Sequence, residues 1–163
     1  MYPANLYALA EDLLKTCLAK SLKVTTAESC TGGLVSGLIS AVPVSSAIFS
    51  RGFITYSNRS KGEMLGVPAH MFMSHGAVSE ECARSMADGA LKTAHADISV
   101  AVTGIAGPSG ATDTKPVGLV HIAAARKGFE ARHEQYVFEG DRSQVRMQAV
   151  ECALKMLNNM ASL

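Results

Sequence analysis

A three-layer α/β/α sandwich built on a mixed sheet is the fold class that the order of elements predicts. Two observations lead there. Helical and strand-like segments alternate through the early part of the chain, the order that parallel strands with helical crossovers require. Later, two strand-like segments follow each other, joined through Lys127-Gly128, which reads as a hairpin and makes the sheet mixed.

In chain order, Leu6, Leu9, Leu13, Leu14, Cys17 and Leu18 recur at helical spacing and predict a first amphipathic helix. Lys23 to Ala27 reads as a short strand, Glu28 to Gly33 as a turn, and Leu34 to Ala41 as a small-residue helix stopped by Pro43. Ala47 to Tyr56 is rich in aromatic and β-branched residues and predicts one strand or two. Asn58 or Ser60 is placed to cap a helix running to Leu65, where Gly66-Val67-Pro68 ends it. Ser79 precedes Glu80 and Glu81 at the start of another helix, whose buried stripe is Cys82, Ala83, Met86, Ala87, Ala90 and Leu91. Ile98 to Thr103 reads as a buried strand entering a glycine-rich turn, and Val117 to Ala125 and Ala131 to Phe138 as the hairpin strands. Asp141 and Gln144 form a capping-box pair for a last helix that buries Val145, Ala149, Cys152, Ala153, Met156 and Met160.

The 163 residues fit one ordinary domain spanning 1–163; 48% are hydrophobic and 18% charged, the balance of a folded globule. A formal net charge of +1 provides no global field for nucleic acid or an anionic membrane, so neither is expected as a partner. No apolar stretch has the length of a membrane span, and Met1 to Asn5 lacks the parts of a signal peptide. Cys17, Cys30, Cys82 and Cys152 are scattered, which suits reduced thiols in a cytoplasmic protein. The histidines are equally dispersed, so no metal site and no cofactor is expected.

Four segments carry chemistry. Thr26-Ala27-Glu28-Ser29-Cys30-Thr31-Gly32-Gly33 lies between a strand and a helix, at the sheet edge where α/β folds bind ligands. Ser29 is placed there like a nucleophile, with amides near Thr31, Gly32 and Gly33 available to an anion; a plain capped helix start reads the same residues equally well. In Tyr56-Ser57-Asn58-Arg59-Ser60-Lys61, a lysine stands in the first turn of a helix, where the dipole and burial would lower its pKa. A neutral Lys61 is a candidate general base with Tyr56 as relay or orienting group, against an exposed lysine and an interfacial tyrosine. Thr103-Gly104-Ile105-Ala106-Gly107-Pro108-Ser109-Gly110 follows a buried strand and makes either a backbone-lined pocket edge or a tight turn; it is neither a P-loop nor a dinucleotide fingerprint. Arg142 and Arg146 lie four residues apart at a helix start, a place for cations only if an anion such as a phosphate sits there, unless both are solvated.

Taken together and in this order, TAESCTGG, YSNRSK, LGVPAHMFMSHGAVSEECARSMADGA, VTGIAGPSG, KPVG and FEGDRSQVR resemble the CinA C-terminal domain family over nearly the whole chain. Members of that α/β/α family include nicotinamide mononucleotide deamidases. The chain begins at the domain's first helix and so resembles the stand-alone form. The resemblance implies hydrolysis of the nucleotide carboxamide to nicotinic acid mononucleotide and ammonia, in pyridine-nucleotide recycling. It implies Ser29 as the catalytic serine with Tyr56 and Lys61, and Thr103 and Arg142 in the substrate site with Gly32, Gly33 and Asn58 around them. Thr31, Gly104, Gly107 and Arg146 complete the expected substrate-binding set, and a homo-oligomer is expected. The rival reading is a non-catalytic nucleotide-binding module, regulatory or linked to competence.

Overall fold

The computed structural model describes residues 2–163. Five strands form one sheet in the order β2-β1-β3-β4-β5. Strand β1 (Val24–Glu28) runs parallel to both its neighbours, β2 (Phe49–Ile54) and β3 (Ile98–Gly104). Strands β4 (Leu119–Arg126) and β5 (Arg132–Val137) continue the sheet antiparallel, in the register Ile98↔Arg126 and Ala124↔Arg132. The mixed sheet and its late hairpin are those the sequence predicts.

Helices cover both faces. On one side α1 (Ala4–Ala19), α2 (Leu34–Ala41) and α6 (Arg142–Ser162) pack with Val24, Val100, Val102, Val120 and Ile122 into the larger core. On the other, α5 (Glu80–Ala94) lies over Ala27, Ala101, Ala123 and Ala125, with Leu65 at the end of α3 (Asn58–Leu65) beside it. The alanines on this face let α5 sit close to the strands, and its whole expected stripe from Cys82 to Leu91 is buried. Burying Met86 completely contributes roughly 1.5–3 kcal/mol.

The connections place the site. From β1 the chain crosses to β2 through α2 on one face. From β2 it returns past β1 to β3 through α3, α4 (Ala69–Ser74) and α5, whose residues pack on the other face. Where successive crossovers leave on opposite faces, the carboxyl ends of the strands open into a crevice, the usual ligand site of such sheets. The carboxyl ends of β1, β2 and β3 carry three of the four candidate segments.

Several local expectations need correcting. The cap of α3 is Ser57, whose hydroxyl accepts from the Ser60 amide at 3.0 Å while Ser60 Oγ accepts from the Ser57 amide at 3.1 Å; Asn58 is the first helical residue. Helix α4 was not expected. Leu9 and Leu14 are half-buried and Leu18 is 47% exposed, because Ala10 shares the buried face with Leu6, Leu13 and Cys17. Cys152 is only half-buried. Asp141 and Gln144 form the expected capping box.

Candidate active site

Each strand end delivers one part of a cavity of about 260 Å³. Ser29 follows the last residue of β1, and its amide donates to the Val102 carbonyl on β3 at 2.9 Å, so the strand pairing fixes where the turn begins. Lys61 comes from α3 and is 1% exposed. Its Nζ donates to Ser29 Oγ at 3.1 Å and to the Thr55 carbonyl at 2.7 Å.

Burial holds the Lys61 amine below the ordinary lysine value, since the charged form loses its water. Cys82 and Cys30 act in the opposite direction, but burial pushes both thiols up to about 11, so near neutral pH they carry no anion to stabilise an ammonium. No carboxylate pairs with Lys61 among the described residues. With one N–H directed at Thr55, an uncharged amine retains a lone pair for the Ser29 hydroxyl. That is the geometry in which a serine can be made nucleophilic.

The cavity walls come from the other segments. Thr103 is 1% exposed, lines the cavity and donates from Oγ1 to the Ala77 carbonyl at 2.8 Å. Gly104 and Gly107 line it with Ile105 and Ala106, and Asn58 lies at its α3 side. Tyr56 is 61% exposed, and its hydroxyl accepts from Arg142 Nη2 at 2.9 Å rather than bonding Ser29 or Lys61. Arg142 Nη1 donates to the Gly107 carbonyl at 2.9 Å, so this guanidinium spans from the β2 side to the β3 side of the cavity.

Thr31, Gly32, Gly33 and Arg146 are not among the lining residues. Their polar groups are turned to the protein. The Gly32 amide donates to the Ser29 carbonyl at 3.0 Å, and the Gly33 amide to Glu28 Oε2 at 3.0 Å. Arg146 donates to the Cys30 and Thr31 carbonyls, both at 3.0 Å. Gly32 and Gly33 have φ of +58° and +99°, a conformation that suits glycine, and a Cβ on Gly32 would stand 3.2 Å from Arg146.

Sequence reasoning missed two features. Glu28, read only as the start of a turn, is fully buried and its carboxylate caps α2 from outside the helix. The signal was available: Gly33 at the N-cap has no side chain, so another residue has to satisfy the helix amides. The second is a pair of stacked histidines without sequence spacing. His121 Nδ1 lies 3.0 Å from His133 Nε2, and His133 Nδ1 lies 3.5 Å from Glu80. Burial lowers the pKa of both rings. His121 pairs with Thr103 across β3 and β4, so the cluster adjoins the cavity wall. Among the described residues no group of three or more His, Cys, Asp or Glu side chains is arranged to hold a metal ion, and no described helix is long and apolar enough to cross a membrane.

Known proteins share this architecture. A competence/damage inducible protein from Agrobacterium tumefaciens has a crystal structure that superposes with a TM-score of 0.96 at 41% identity, covering 98% of each chain. A CinA superfamily protein from Escherichia coli gives 0.91 at 33% identity, covering 100% of this chain and 94% of that one. In sequence, the nicotinamide-nucleotide amidohydrolase PncC of Escherichia coli (strain K12) is 46% identical over 157 residues, covering 96% of this chain and 95% of that protein. A competence-damage inducible protein of Caldicellulosiruptor saccharolyticus is 48% identical over 157 residues, but the chain spans only 38% of its length. The family model of the CinA C-terminal domain matches residues 6–161. The chain belongs to the CinA C-terminal domain family.

Proposed function

We propose that this chain is an amidohydrolase that converts nicotinamide mononucleotide to nicotinic acid mononucleotide and ammonia, with Ser29 as nucleophile and Lys61 as base. The observation that carries the reading is the 3.1 Å contact between Ser29 Oγ and a buried Lys61 amine that has no carboxylate partner. The name of the Escherichia coli relative supports the substrate.

In this mechanism neutral Lys61 takes the Ser29 proton as Oγ bonds to the carboxamide carbon. The resulting ammonium returns that proton to the leaving nitrogen, the C–N bond breaks and ammonia departs. Water, deprotonated by the same amine, then attacks the acyl-serine ester; the ester C–O bond breaks, Ser29 Oγ takes the proton back from Lys61, and the nicotinic acid product leaves. The Gly32 and Gly33 amides are engaged within the protein, so the oxyanion falls to donors that face the cavity. Cys30, the residue after the nucleophile, is among those that line it. One such donor contributes roughly 3 kcal/mol to the transition state.

Arg142 is suited to the phosphate, because its two protein acceptors are a hydroxyl and a carbonyl, leaving the cation without a counter-charge. Tyr56 belongs with it at the cavity rim. Arg146, whose donors hold the turn, acts on the shape of the site.

Ser29→Ala should abolish ammonia release while nucleotide binding, followed by calorimetry, stays within about threefold, since the change removes only the attacking atom. Retained turnover would remove Ser29 from this role. Release of free nicotinamide by the wild type would instead mean cleavage of the glycosidic bond.

A further inference from the structure

The carboxylate of Glu28 is buried, titratable and adjacent to Ser29, yet the mechanism above gives it no step. Four donors meet its two oxygens. Oε2 accepts from the amides of Gly33 at 3.0 Å and Val35 at 3.1 Å, and Oε1 from the Ser36 amide and hydroxyl, both at 2.8 Å. The Ser36 hydroxyl also lies 2.6 Å from Thr26 Oγ1, so a chain of hydroxyls runs back to the same strand. Strand alternation places Thr26 and Glu28 on the face of β1 that α2 covers.

Two consequences follow from this arrangement. The first turn of α2 already holds an anion from within the protein, so its partial positive charge is spent on Glu28 and is not offered to a substrate phosphate. The five residues from Ser29 to Gly33 are also tied at both ends. The Glu28 backbone is locked between β2 and β3, in register with Ile54 and Val102, while its side chain grips Gly33. A turn fixed at its two ends has little freedom to move the Ser29 hydroxyl relative to Lys61.

We propose that Glu28 is the positioning residue of this site: by clamping the start of α2 to the end of β1 it holds Ser29 Oγ within proton-transfer distance of Lys61. The inference rests on the serine–lysine reading. Glu28 touches neither Ser29 Oγ nor the cavity, and acts only through the turn.

Glu28→Gln keeps the size of the side chain but turns one acceptor into an NH2 group facing two donors. A displacement of the order of 1 Å at a reacting group lowers turnover by roughly a hundredfold. The expected result is therefore a fall in kcat of about that size, with KM for nicotinamide mononucleotide within about threefold of wild type, because Thr103, Asn58 and Arg142 are not held by Glu28. The second readout is the rate at which a fluorophosphonate labels Ser29, with Ser29→Ala as the blank; it should fall in parallel with kcat. Folding is checked by a thermal melt. Where Glu28→Gln does not fold, Ser36→Ala decides. It removes one of the four donors, and should lower kcat and labelling several-fold at unchanged KM.

A folded Glu28→Gln enzyme with kcat and labelling within twofold of wild type would overturn the proposal. So would a rise in KM that accounts for the whole loss of kcat/KM, or, in the fallback, a Ser36→Ala enzyme with wild-type kcat and labelling. If the wild type releases no ammonia from the nucleotide, the functional reading has failed. The labelling rates still decide whether Glu28 positions Ser29.

Discussion

An aliphatic amine with a pKa near 10.4 is almost wholly protonated at neutral pH and cannot accept a proton. Burial shifts Lys61 away from this limit, because it disfavours the ammonium form. The rate of ammonia release should therefore rise with pH to a plateau, with a midpoint below the ordinary lysine value of 10.5. Lys61→Arg should leave almost no activity, because a guanidinium keeps its proton in proteins. Both are read from pH–rate profiles, and a fully active arginine variant would make Lys61 an electrostatic anchor rather than a base. Lys61 was legible in the sequence as a cation at the wrong end of a helix. Its contact with Ser29 was not, because no spacing rule relates positions 29 and 61 before the order of the strands is known. Tyr56 shows the opposite limit: adjacency in sequence suggested a proton relay, whereas its hydroxyl is held by Arg142 from the far end of the chain.

Elements were most legible where burial is periodic. Helix α5 has a full stripe of small and apolar residues, and the structure buries all of it. Helix α4 has no buried residue, so AHMFMS offers no period to detect. Strand β4 begins at Leu119 rather than Val117 because Gly118 has a φ of +93°, outside strand conformation. Contacts between elements were invisible in the sequence, and Gly89 is the clearest case. A Cβ on this α5 residue would stand 2.0 Å from the Leu65 carbonyl at the end of α3. Since that atom is backbone, the two helices would have to separate. Gly89→Ala should destabilise the protein by about 1–3 kcal/mol in urea unfolding, despite alanine's better helix propensity. It should also lower activity, because Lys61 sits one turn back from Leu65 on the helix that moves. An unchanged or higher stability would show that α3 and α5 yield at no cost.

At the scale of the molecule, the same buried amine couples stability to pH. The folded state holds Lys61 at a lowered pKa and the unfolded state restores it toward 10.5, so between those values the unfolded chain binds more protons. Stability must then rise with pH across that window, and the penalty is fully present below the lowered value. Lys61→Met removes the titrating group. The stability of wild type minus that of Lys61→Met, measured by denaturant unfolding, should therefore increase as pH rises toward 10.5; a flat difference would mean that the amine is not desolvated. The fold class was readable from the order of elements because alternation and a late hairpin admit few sheet topologies. The assembly of the site was not, because its parts come from distant positions. Arg146, on α6, grips the carbonyls of Cys30 and Thr31, which the chain laid down more than a hundred residues earlier. A ribosome that has passed Lys61 has already made both reactive groups, yet the turn beside Ser29 stays without this clasp until α6 emerges and docks. Competence for chemistry thus waits on α6, and a nascent chain that stops short of this helix has no finished site to expose.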